Sequence, residues 1–70
     1  MKKDQMLNVI SKVHVLKPNG FTVGDCVDYQ NTEHGAIDYH VYSNFLYNLN
    51  SHGFIKDVGH NRDGMTIYNY

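Results

Sequence analysis

Seventy residues with a formal net charge of −1 at pH 7 and 19% charged residues suit one small domain spanning residues 1–70. A chain of this size buries only about 60% of its unfolded surface, so a partner chain would add stability. The single cysteine, Cys26, excludes an internal disulfide framework, and no run of about eighteen apolar residues offers a membrane span. A reducing, cytoplasmic location is the expectation. Proteins held mainly by phosphate contacts are usually far more basic than this.

Met6, Ile10 and Val13 recur at helical spacing, and Leu7 and Val9 widen the stripe. They predict a first helix from a cap at Asp4 to about Leu16. Pro18 cannot continue it, and Lys17-Pro18-Asn19-Gly20 is a turn signal. Phe21 follows as a short extended link into the core. Thr22 is the expected cap of a second helix, with Asp25 adding charge near its positive end. Val23, Cys26 and Val27 give that helix a narrow apolar face through about Gln30. Cys26 reads as a small buried hydrophobe.

After a polar linker over residues 31–36, Asp38 is placed to cap a third helix over Tyr39–Ser51. Ile37 can staple against Tyr42 across that cap. Val41, Tyr42, Phe45, Leu46 and Leu49 are expected inward. His40, Ser43, Asn44, Tyr47, Asn48 and Asn50 are expected around the open side. Tyr39 and Tyr47 fit either exposed contacts or covers over a thin core. Gly53 ends the helix, and residues 53–58 read as a strand that brings Phe54 and Ile55 onto the core. Asp63-Gly64 is a hairpin signal, and residues 65–70 alternate as the return strand. Tyr68 and Tyr70 fit either packing on the first helix or an edge for docking.

No catalytic constellation is expected. Cys26 with a histidine would lack an orienting third group, and no glycine-rich phosphate loop is present. So small a domain leaves little room for a substrate pocket of about 300 Å³. No cofactor or metal is expected either: His34 and His40, or His52 and His60, do not stack on one helix face as i, i+4 ligands would.

Tyr42-Ser43-Asn44-Phe45-Leu46-Tyr47-Asn48-Leu49-Asn50-Ser51-His52-Gly53-Phe54-Ile55 resembles the recognition helix and first wing strand of the winged helix-turn-helix family. In small bacterial and phage-type regulators of that family, Leu-x-x-Leu-x-x-x-Gly-apolar-Ile recurs. The resemblance implies an α+β fold, three helices with a C-terminal two-stranded β-hairpin wing. It also implies a transcription regulator bound to double-stranded DNA, with the third helix in the major groove. Tyr39, His40, Ser43, Asn44 and Tyr47 would then face the groove. Asn44 could pair with adenine, and Ser43 or Tyr47 could reach a phosphate. Arg62 would sit at the wing tip with Lys56 flanking it, and Lys2 and Lys3 would touch phosphate.

The third helix departs from that pattern by carrying no Lys or Arg and by starting at Asp38. The stretch before it is longer than the usual tight turn. Both departures point to the alternative, a protein-binding adaptor or inhibitor that uses the Tyr- and Asn-rich face against a host protein. In the DNA case, a homodimer would gather the phosphate contacts that one subunit lacks.

Overall fold

Met6, Val9, Ile10 and Val13 fall on one side of a helix, and they form the buried face of α1 (Lys3–Leu16). The computed structural model describes residues 3–70, so the phosphate contact expected of Lys2 lies outside the described residues. Asp4 sits in the first turn of α1, where its charge suits the helix dipole, and not at the expected cap. Leu7 is 42% exposed and does not join the buried stripe as expected; Val9 does. The Gly20 amide then closes the turn after Pro18 by donating to the Lys17 carbonyl at 3.1 Å.

α2 (Val23–Glu33) starts at a reciprocal cap. Thr22 Oγ1 accepts from the Asp25 amide at 3.2 Å, and Asp25 Oδ2 accepts from the Thr22 amide at 3.0 Å. Two amides that a helix start leaves open are thereby satisfied. Thr22→Ala is expected to cost about 1 kcal/mol, read as a lower urea midpoint. The helix runs three residues beyond the expected end at Gln30, because Gln30 is not a terminus but a buried side chain at 1% exposure. Its Oε1 accepts from the Tyr42 hydroxyl at 3.0 Å, which pins α2 to the next helix.

α3 (Tyr39–Ser51) has the expected bounds, and Asp38 Oδ1 caps it by accepting from the His40 amide at 2.8 Å. Tyr42 and Leu46 are fully buried, while Phe45 and Leu49 flank the core. Val41 is 43% exposed, contrary to expectation. At about 100° per residue, it has already rotated off the inward face that Tyr42 occupies. Ile37 packs partly buried against the core.

The helix ends in a two-bond left-handed cap. The Gly53 amide donates to Asn50 O at 3.1 Å and the Phe54 amide to Leu49 O at 3.0 Å, with Gly53 at a φ of +81°. Such a cap consumes the two residues after the helix. The strand therefore begins later than expected, and Phe54 points outward at 69% exposure while Ile55 is buried.

β1 (Lys56–His60) and β2 (Thr66–Asn69) form one antiparallel hairpin with a bulge between Asp57 and Gly59. The Gly59 amide folds back onto Asp57 Oδ1 at 3.0 Å. Asn61 Oδ1 accepts from the amides of Asp63 and Met65 and shapes the turn between the strands. The hairpin is tied to the helices by Phe21. Its amide donates to Tyr68 O at 2.9 Å, and its carbonyl accepts from the Tyr68 amide at 2.7 Å. Tyr70 stacks on His14 of α1 with ring centroids 4.5 Å apart, so it packs on the first helix. This α+β arrangement of three helices followed by a hairpin agrees with the fold class expected from the sequence.

Candidate recognition face

The same rotation that buries Tyr42 and Leu46 turns the opposite side of α3 to solvent. His40, Asn44 and Tyr47 are exposed there, Tyr47 at 64%, and Ser43 is half-buried. Tyr39 is 43% exposed, and its ring meets that of His40 edge-on at 6.3 Å. Both tyrosines are thus exposed and do not seal the core.

Tyr39, Ser43 and Tyr47, four residues apart in turn, make up one flank of the helix. Burial, then the Asp57 carboxylate, then the phenols of Tyr39 and Tyr47, hold the Tyr68 phenol above its ordinary value. Asp57 and Tyr68 are cross-strand partners, which places them on the same side of the sheet. Asp57 is exposed while Tyr68 is buried in the core, and neither is among the expected site residues. The signal that could have found them is their pairing, and the bulge at Val58 hides that register in the sequence.

Lys56 and Arg62 are both exposed, but the hairpin keeps them apart. Lys56 opens β1 and Arg62 lies in the turn beyond its far end, a separation on the order of 15–20 Å along the strand. Lys56 also faces away from Asp57. Its cross-strand partner Asn69 donates to the Pro18 carbonyl at 3.2 Å.

Charge is unevenly shared. No Lys or Arg occurs from Pro18 to Ile55, a stretch that holds Asp25, Asp28, Glu33 and Asp38. Asp25 meets Lys17 at 3.6 Å, while Asp28, Glu33 and Asp38 are exposed. The helices that would face a target are therefore neutral to acidic.

The interior holds one unused nucleophile. Burial, with the Asp25 charge adding to it, pushes the Cys26 thiol up to about 12 from 9.0. Native Cys26 is expected to resist iodoacetamide at neutral pH and to alkylate once unfolded in urea, read by mass spectrometry. A group titrating higher when folded stabilises fully below its unfolded pKa and stops doing so as pH rises through the folded one. Burial, with Cys26 adding to it, also raises Tyr42 to about 12, so the fold is expected to weaken as pH climbs from about 9 toward 12.

The surface has more relief than the chain length suggested. A hollow of about 430 Å³ lies between α1 and α2, lined by Leu16, Lys17, Asp28 and Tyr29 among others. An apolar groove of about 270 Å³ is lined by Leu7, Leu49, Phe54, Ile55 and Tyr70. Among the described residues, no three His, Cys, Asp or Glu side chains gather as a metal site would need. No helix among them is long and apolar enough to cross a membrane. Comparison with protein-family models, with curated proteins and with solved structures gives no match.

Proposed function

We propose that this chain is a winged-helix domain that recognises another protein through the solvent-facing side of α3. Three helices followed by an antiparallel hairpin support the winged-helix part of the reading. The observation that carries the partner class is the absence of Lys and Arg from Pro18 to Ile55, beside exposed Asp28, Glu33 and Asp38. A phosphate backbone laid along α2 and α3 would meet carboxylates, phenols, amides and imidazoles. Phosphate neutralisation by Lys and Arg supplies most sequence-independent affinity for DNA, and this face has none to give. Exposed tyrosine and asparagine instead offer large contact area and adaptable hydrogen bonds to a protein surface. The domain then works as an adaptor or inhibitor, with α3 as the docking element.

Photo-crosslinking tests this reading. Benzoylphenylalanine in place of Tyr47 should yield a protein adduct in cells that make the chain, and the same group in place of exposed Leu16 on α1 should not. Adducts to DNA alone from position 47 would contradict it.

A second reading is a dimeric DNA-binding transcription regulator. It is favoured by Asn44, exposed midway along α3, and by Arg62, exposed at the hairpin turn; both match reading positions of the family that the chain resembles. On that reading each phosphate neutralised lowers the slope of log K against log salt by about 0.9. Lys56 and Arg62 are the cations that the hairpin of each protomer could contribute.

A further inference from the structure

Exposed apolar surface gathers where the cap at Gly53 turns Phe54 outward. Phe54 is 69% exposed, Tyr70 49% and Leu7 42%. With Leu49 and buried Ile55 they line the groove of about 270 Å³, and a hollow of about 410 Å³ adjoins it. The two share Leu7, Leu49 and Phe54, so they form one trough. Helical spacing builds its long sides. Lys3 and Leu7 are four apart on α1, and Phe45, Asn48, Leu49 and His52 recur at i, i+3, i+4 and i+7 on α3. One wall is already held in place: the Tyr70 ring stacks on His14 with centroids 4.5 Å apart, and its hydroxyl lies 3.3 Å from Ser11 Oγ.

Charge on the rim selects the occupant. Lys3 lines the trough together with Asn48 and His52, and among the described residues no Asp or Glu lines either hollow. Asp4 follows Lys3 in sequence but is turned about 100° round α1 from it. The hollow between α1 and α2 has the opposite character, with Asp25, Asp28 and Glu33 in its lining. We propose that the trough holds an acidic amphipathic helix of a partner protein. Its apolar side chains seat against Leu7, Leu49 and Phe54, and its carboxylates face Lys3. An amphipathic helix presents apolar anchors at i, i+3, i+4 and i+7, which is what an apolar groove accepts. A second copy of this chain fits less well, because a two-fold contact would set one Lys3-bearing rim against another. The contact goes beyond the reading of α3 given above and uses none of its tyrosines.

The test uses the full chain and fluorescein-labelled peptides of equal length with leucines at i, i+3, i+4 and i+7. Their polar positions carry Glu, Gln or Lys, and a fourth peptide keeps Glu but has Ser for each Leu. Fluorescence anisotropy should show saturable binding of the Leu–Glu peptide, about threefold weaker binding of the glutamine peptide, still weaker binding of the lysine peptide, and none of the Ser–Glu peptide. Phe54→Ala should weaken the Leu–Glu peptide about tenfold. Lys3→Gln should bring it level with the glutamine peptide, and Leu16→Ser on α1 should change nothing. Tyr47→Ala should also leave it unchanged, so this result is read separately from the crosslink at position 47. Circular dichroism verifies that each variant folds. No saturable binding of the Leu–Glu peptide, or binding unmoved by Phe54→Ala, overturns the proposal. A lysine peptide that binds as tightly as the glutamate one overturns the acidic assignment. A dimer in sedimentation that Phe54→Ala breaks up would seat a second copy in the trough and overturn the proposal as well.

Discussion

Leu46→Ala is expected to cost about 2–5 kcal/mol, the range for emptying a fully buried leucine site. Leu46 has 0% exposure and sits among Tyr42, Ile10 and the other core side chains. A domain of this length commands only about 4–10 kcal/mol in total, so the variant should be partly unfolded at room temperature. Urea denaturation followed by circular dichroism reads the loss. Phe54→Ala is the matched control. Phe54 follows the same helix and has a larger side chain, yet it is 69% exposed. Its removal should change stability by no more than about 0.5 kcal/mol. Equal losses at the two positions would contradict the cap at Gly53 that turns Phe54 outward.

The second large effect falls on a residue with no side chain. Gly20 has a φ of +137°, and a Cβ added there would lie 2.5 Å from Ile67 Cγ2. That methyl belongs to a β-branched side chain held in the hairpin, so it cannot swing aside at its far end. Gly20→Ala therefore combines backbone strain of about 1–3 kcal/mol with overpacking of similar size. Gly35 separates the two contributions. It has a φ of +101° with nothing within 4 Å of an added Cβ, so Gly35→Ala should show the strain alone. A lower urea midpoint for Gly20→Ala than for Gly35→Ala is the expected order. The reverse order would mean that the link before Phe21 does not press on the hairpin.

The bounds of α3 could be read from the sequence because short-range chemistry sets both ends. Asp38 supplies the oxygen for the first turn, and Gly53 supplies the left-handed residue after the last. Thr22 and Asp25 marked the start of α2 for the same reason. The misreadings arose where a distant partner or a non-repeating geometry decides. Gln30 looks like a polar helix end, but Tyr42, twelve residues later, satisfies it in the core. Phe54 looks like the first inward residue of a strand, but it completes the helix cap. Asp57 looks like a solvent residue beside Lys56. Only the hairpin register, with the bulge that follows, sets it opposite Tyr68 of the return strand.

Of the expected recognition residues, Tyr39, His40, Ser43, Asn44 and Tyr47 share one helix, while Lys56 and Arg62 lie at separate ends of the hairpin. Helical periodicity alone groups the first five. Lys56 and Arg62 lie outside that helix, so their place depends on the hairpin and not on helical periodicity. The acidic balance of α2 and α3 follows directly from composition, but its placement on the solvent side depends on which residues the core takes.

Fluorescence anisotropy of labelled duplex DNA, titrated with the full chain at low salt, tests the electrostatic claim most directly. Expected is no saturable binding at micromolar protein, because the face of α3 offers phosphate no cation. Micromolar binding at low salt that is lost on Asn44→Ala and Arg62→Ala would contradict that claim and restore α3 as a DNA-reading helix.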